Sequence, residues 1–216
     1  MKLLLITNCK HKVSKKIINY IKLKKISFDY IDSSNKKKIK ILKKYDYLIS
    51  FLNSVYIDKS IRKKIKINSF NFHPGPPEYP GFGCYNFALL DKVNYYGSTI
   101  HIINDKFDNG KIINVKRFKI SYKKINLEKL INKTHENIIK QAKEFINIIL
   151  NKKLKNESNL KWKKKAYTRK EFEIAREIKF NDSKEKVLNK IKAFSYKDYE
   201  SIYINFKGLK FELKKK

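Results

Sequence analysis

The sequence predicts an α/β fold: a mostly parallel sheet with helices on both faces, followed by a small C-terminal appendage. Three observations predict it. Short apolar segments rich in β-branched residues alternate with helical patterns through the first 150 residues, the order that builds a parallel sheet covered by helices. All four prolines stand at Pro74, Pro76, Pro77 and Pro80, directly after one of those apolar segments. Beyond residue 150 the pattern gives way to a polar, Lys-rich stretch and a shorter set of elements.

Each element follows from its periodicity. Residues 3–7, apolar from Leu3 to Ile6, read as a first buried strand, and Val13, Ile17, Ile18 and Ile21 recur at helical spacing behind it. Ile26, Phe28 and Tyr30 alternate with Ser27 and Asp29, which marks a second strand. A Lys-rich helix is expected over residues 36–44, then strands over 47–52 and 67–72. In such a Rossmann-like arrangement ligands bind outside the carboxyl ends of the strands, where Asn71 and His73 fall. Residues 98–103 and 111–120 read as two more strands around Asp108. Asn126 is placed to cap a long helix, with Glu128 in its first turn and an inward stripe through Leu127, Leu130, Ile131, Thr134, Ile138, Ala142, Phe145 and Ile149. The main domain is thus expected over residues 1–150, a linker over 151–165 and an α+β appendage over 166–216. The appendage should hold a helix near 171–178, a second one capped by Asp182 or Ser183, and a hairpin from Ile202, Ile204 and Phe206 through Gly208 to Phe211.

Composition narrows the function classes. With 42% hydrophobic residues, 14 Phe and 14 Tyr, the 216-residue chain can fill a core, which argues against wholesale disorder. Cys9 and Cys84 are the only cysteines and no C-x-x-C occurs, so neither a disulfide framework nor a cysteine-based metal site is suggested. No run of about 18 apolar residues appears, and the apolar stretch at the N-terminus is too short for a signal sequence. A soluble, cytoplasmic protein with no membrane partner is expected. The net charge of +32 invites a nucleic-acid reading. Yet the cations are overwhelmingly Lys, with Arg only at positions 62, 117, 169 and 176, and they are spread along the chain. Nucleic-acid readers favour Arg for bidentate contacts, whereas an AT-rich genome also favours Lys, Ile, Asn, Tyr and Phe. Charge alone does not decide the partner.

The chemistry concentrates at Asn71-Phe72-His73-Pro74-Gly75 and, 35 residues after His73, at Asp108-Asn109-Gly110. An Asn, a His and an Asp on rigid turns beside strand ends can serve one carbonyl centre. His73 and Asn71 can donate to an oxyanion, while Asp108 orients His73 and helps move protons. Gly75, Gly81 and Gly110 allow close approach of backbone to a ligand. Each residue has a plainer reading. A single His in a turn is most often structural, and Asp-Asn-Gly is a good hairpin turn; the combination raises both. His101 either faces the ligand or packs, and both readings stay open. His11 and His135 read as surface residues, Tyr79, Phe82 and Tyr85 as core packing ahead of stacking on a base or pterin, and Cys84 as a small buried hydrophobe. Residue types and spacing do not single out one acyl group.

A resemblance supplies that detail. Asn71-x-His73, its Pro-containing loop, Asp108-x-Gly110 and the intervening Gly97-Ser98-Thr99-Ile100-His101 resemble the core of the 10-formyltetrahydrofolate-dependent formyltransferases, over roughly residues 45–115. The resemblance implies catalytic roles for Asn71, His73 and Asp108, and 10-formyltetrahydrofolate as cosubstrate along the carboxyl edge of the sheet. The folate pocket would then draw on Phe51, Leu52, Asn53, His101 and Asp105, with no metal. The chain departs from the family pattern in two places. Gly75-Pro76-Pro77-Glu78 replaces the family's Ser-Leu-Leu-Pro, and Thr7-Asn8-Cys9-Lys10-His11 lacks the phosphate-gripping glycines of the glycinamide ribonucleotide branch. The short tail resembles most the sugar N-formyltransferase branch, with a nucleotide-linked amino sugar as acceptor. Initiator methionyl-tRNA is the less favoured acceptor, supported by charge and opposed by the small tail. A formyltetrahydrofolate hydrolase would need the same three groups. A basic binding module on a degenerate fold is the alternative outside catalysis. The tail either closes the site or makes a dimer contact, so a homodimer is one reading of its role.

Overall fold

The sheet begins with β1 (Lys2–Thr7), flanked by β2 (Ser27–Asp32) on one side and β3 (Tyr45–Phe51) on the other. It continues through β4 (Ile65–His73), β5 (Tyr95–Ile102) and β6 (Ile112–Lys119), in the order β2-β1-β3-β4-β5-β6. Pairing is parallel from β2 to β4 and antiparallel on both sides of β5, so β5 alone runs against the rest. This computed structural model describes residues 1–151, 153–154, 159–196 and 200–213. Residues 152 and 155–158 of the expected linker, and 197–199 and 214–216 of the expected appendage, lie outside the described residues.

Alternation within the strands sorts side chains onto two faces. Leu3, Leu5, Ile49, Phe51, Phe70, Phe72 and Ile100 meet α1 (Lys12–Leu23) and α4 (Leu127–Leu150) on one face. The residues expected to point inward from both helices are all buried, and the Asn126 side chain accepts from the Lys129 N–H as the cap. On the other face Leu4, Ile6 and Leu48 are covered by Ile39, Ile41, Val55, Ile57 and Ile61, the last from the short α2 (Lys59–Arg62). The helix expected over residues 36–44 does not form. Ile39 and Ile41, two residues apart, bury themselves in an irregular segment while Leu42 stays 92% exposed. Three apolar residues at 39, 41 and 42 offer no helical stripe, so covering the sheet outweighs the helix propensity of lysine.

Beyond β4, a proline-rich loop leads into α3 (Cys84–Leu90), which the periodicity did not foretell. The C-terminal elements are α5 (Arg169–Arg176), β7 (Glu177–Ile178), α6 (Lys184–Phe194), β8 (Tyr203–Phe206) and β9 (Leu209–Glu212). A capping box between Thr168 and Glu171 starts α5 two residues before its expected start, and Ser183 caps α6. The expected hairpin is β8–β9, with β7 added parallel to β8. Phe172, Ala193, Phe194 and Ile202 join Leu89, Tyr96, Leu127 and Leu130 in one apolar cluster, and Asn86 Nδ2 donates to the Ala193 carbonyl at 2.8 Å. Among the described residues no helix is long and apolar enough to cross a membrane.

Candidate active site

Strand period and register assemble the site. Phe70 and Phe72 of β4 face α4, where Phe145 meets them at ring separations of 4.9 and 5.7 Å. Asn71 and His73 therefore project from the opposite face. Antiparallel pairing sets His101 directly across from Asn71 and Thr99 across from His73, so His101 joins the same face. The loop from β5 to β6 folds back and brings Asp108 onto this group, at a φ of +39°. That left-handed conformation is uncommon for a residue with a side chain, though Asp tolerates it better than most.

Asp108 is the hub. Its Oδ1 lies 3.2 Å from Asn71 Nδ2 and 3.1 Å from His101 Nε2. Its Oδ2 accepts from the Gly81 N–H at 2.8 Å and lies 3.0 Å from His73 Nδ1. His73 Nε2 in turn is 2.8 Å from the Tyr79 carbonyl. Both ring nitrogens of His73 thus face acceptor oxygens, and only the doubly protonated imidazolium satisfies both. Burial works against that charge, but the Asp108 carboxylate, its hydrogen bond and the Tyr79 carbonyl carry the His73 pKa above its ordinary value. Burial likewise opposes charge on Asp108, yet the His73 charge and the His101 hydrogen bond hold its carboxyl well below the usual range. With His73 doubly protonated the pair is a buried ion pair, 3.0 Å apart. His101 Nδ1 lies 2.9 Å from its neighbour's carbonyl, on Ile102, and so carries a proton. Its Nε2 also lies 3.1 Å from Asn71 Nδ2.

The residues expected to bind cofactor are placed unequally. His101 is in the cluster. The Phe51 ring is fully buried on the α1/α4 face and packs on Phe72, so only its main chain is on the site side. Leu52, at a φ of +46°, turns the chain out of the sheet. Asn53 spends its carboxamide on a local turn, bonding Val55 N and O at 3.0 and 2.8 Å. Asp105 is exposed and paired with Arg62, while its carbonyl accepts from the Tyr56 hydroxyl. Space beside the glycines is taken by protein rather than left for a ligand. A Cβ on Gly75 would stand 2.5 Å from His73 Nε2, and one on Gly110 would stand 1.7 Å from the Ile102 carbonyl oxygen.

Other expectations resolve as follows. Tyr79 is buried, its hydroxyl donating to Asp91 at 2.8 Å, and Phe82 packs edge-on against Phe172 at 4.9 Å while remaining 44% exposed. Cys84 is buried, and burial pushes its thiol up to about 12. His11 and His135 are not surface residues. They are half-buried and meet edge-on at 5.6 Å, and burial, with the other imidazole adding to it, pushes His135 down to about 4.

Sequence reasoning missed Trp162, the one tryptophan of the chain. Its ring lies 5.8 Å from that of His73 and 5.1 Å from that of His101, and its Nε1–H donates to the Gly110 carbonyl at 2.8 Å. A lone aromatic in a Lys-rich stretch was the available signal. Gly110 and Trp162 also border a cleft of about 660 Å³, lined further by Asn109, Lys111, Leu160 and Lys161.

The wound α/β sheet thus brings Asn71, His73 and Asp108 together on one face, an arrangement suited to group transfer at a carbonyl centre. The chain belongs to the formyl transferase family, whose model matches residues 13–148. Among solved structures it is similar to a sugar N-formyltransferase from a Shewanella species, with a TM-score of 0.80 at 17% identity over 99% of this chain and 96% of that one. A 4-N formyltransferase from Francisella tularensis aligns with a TM-score of 0.77 at 20% identity over 99% and 98% of the two chains. An N-formyltransferase from Helicobacter canadensis, in complex with folinic acid and dTDP-3-aminofucose, aligns with a TM-score of 0.71 at 20% identity over 97% and 85%. No curated protein matches the chain by sequence.

Proposed function

We propose that this protein transfers the formyl group of 10-formyltetrahydrofolate to the amine of a nucleotide-linked amino sugar. The observation that supports this most is the Asn71–His73–His101–Asp108 cluster in a formyl transferase chain that aligns end to end with a sugar N-formyltransferase. A bound folinic acid and dTDP-3-aminofucose in the Helicobacter protein support the choice of donor and acceptor. Lys111 and Lys161 beside the cleft suit anionic ligands.

In this reading the acceptor amine attacks the formyl carbon, a C–N bond forms, and the carbonyl oxygen becomes an oxyanion. Asn71, more accessible than its buried neighbours, turns one Nδ2–H from its contacts with Asp108 and His101 to that oxygen. The His73 imidazolium behind it stabilises the negative charge through a low-dielectric interior. Asp108 holds the imidazolium in place and relays the proton that leaves the amine for N10 of the folate as the old C–N bond breaks. Phe51, Leu52, Asn53 and Asp105, at the loops after β3 and β5, frame the folate.

Incubation with 10-formyltetrahydrofolate and a panel of dTDP- and UDP-amino sugars, with methionyl-tRNA in parallel, tests the reading by mass spectrometry. A gain of one formyl group on a sugar nucleotide is expected. Formylation of the tRNA alone, or release of formate alone, overturns the acceptor. His73→Ala and Asp108→Asn should each abolish turnover in protein that stays folded; wild-type rates in both would remove the assigned roles.

A further inference from the structure

We propose that Trp162 is a positioning residue of the reaction centre: its indole, locked to the Gly110 carbonyl, holds the His73 and His101 imidazoles in the orientation that meets Asp108. The proposal rests on the formyl-transfer reading above. One indole stands roughly perpendicular to both imidazoles, at 72° to His73 and 83° to His101, an arrangement aromatic rings favour. The Nε1–H bond fixes the indole on a rigid mount, because the Gly110 backbone lies so close to Ile102 that no other residue fits there.

The chain on the C-terminal side of Trp162 is strapped along the proline-rich loop. The Lys163 N–H donates to the Pro77 carbonyl at 3.0 Å, the Tyr167 N–H to Pro80 at 2.9 Å, and the Phe82 N–H back to Tyr167 at 2.9 Å. The Tyr167 ring stacks on Phe87 at 3.8 Å. The same loop supplies the Tyr79 carbonyl to His73 and the Gly81 N–H to Asp108. Strap, loop and hub therefore form one closed set of contacts, and the indole is the part that touches both imidazoles. It also keeps water from that side of the ion pair, which strengthens the His73–Asp108 attraction, and an aromatic ring beside an imidazolium favours the cation. Without it the rings gain freedom to turn and water gains access.

The test compares Trp162→Ala and Trp162→Phe with the wild type across pH, with far-UV circular dichroism as the folding control. Misplacement of reacting groups predicts that Trp162→Ala lowers kcat about 10–100-fold with little change in either KM. The same change should move the alkaline limb of the pH profile to lower pH, because the protonated His73 is the working form, and Trp162→Phe should recover a large part of kcat. An unchanged kcat and pH profile in Trp162→Ala overturns the proposal, as does a loss confined to KM. If Trp162→Ala does not fold, a Trp162→Leu enzyme, which keeps bulk without an aromatic ring, with wild-type kcat and pH profile overturns it. Because Trp162 is the only tryptophan, its fluorescence gives a readout independent of turnover. A protonation step in wild-type emission that disappears in His73→Asn is expected, and its absence also overturns the proposal. Failure to formylate any acceptor while that step persists would defeat the functional reading and leave the indole contact standing.

Discussion

A buried carboxylate that accepts from Asn71, Gly81 and His73 and a buried imidazole facing two acceptors each depend on the other's charge. His73, its folded pKa raised, contributes stability in full below its unfolded value of about 6.5 and loses it as pH rises through the folded value. Asp108, its folded pKa lowered, contributes above its unfolded value of about 3.9 and loses it as pH falls through the folded value. Both contributions are complete between about pH 4 and about pH 6.5. Asp108→Asn leaves His73 buried without a counter-charge, so it should cost about 3–5 kcal/mol in that window and less as pH rises through the folded His73 value. Urea unfolding at a series of pH values checks this; a wild-type-to-variant gap independent of pH would refute it. Asn71, His73 and Asp108 were legible in the sequence because a spacing of two on a strand and a turn between the next two strands are local patterns. The place of His101 needed the β4–β5 register, and that of Trp162 needed a chain crossing 52 residues beyond Gly110, neither of which local pattern encodes.

Among the elements, β4 binds the core to the chemistry. Its Phe70 and Phe72 are clamped by Phe145 of α4, and the residues between and after them, Asn71 and His73, emerge on the site face as a consequence. Phe145 is 2% exposed, so Phe145→Ala should destabilise the protein by about 3–5 kcal/mol in denaturant titration. A loss below about 1 kcal/mol would mean that the α4–β4 contact collapses around the gap. The longest elements were readable because their apolar repeats run over several turns, as in α1 and α4. Elements whose shape is imposed by neighbours were not. Residues 36–44 offer lysines suited to a helix, but what they bury is a pair of isoleucines two apart across the second face of the sheet. In α3 the start is Gly83, at a φ of +75°, with no side-chain cap, and seven residues give too short a stripe to recognise.

At the scale of the molecule the described part of the expected linker is no free tether. Trp162 is bonded to Gly110, Lys163 and the following Tyr167 are bonded to the proline-rich loop, and beyond them Phe172, Phe194 and Ile202 complete a cluster whose other half comes from α3, β5 and α4. A polar, Lys-rich composition reads as a connection because its side chains give no core signal; here the main chain and one indole make the contacts instead. Residues that share a cluster lose their burial together, so the expected boundary near residue 166 should not be a boundary of unfolding. The full chain should unfold in urea as one transition, with Trp162 fluorescence, which reports the junction, coinciding with far-UV circular dichroism, which reports all helices. Removal of residues 166–216 should then lower the midpoint and expose the apolar residues of α3 and α4 to a hydrophobic dye. An early, separate transition seen by one probe alone, or a truncated chain with an unchanged midpoint, would show instead that the C-terminal elements fold on their own account and only rest against the sheet.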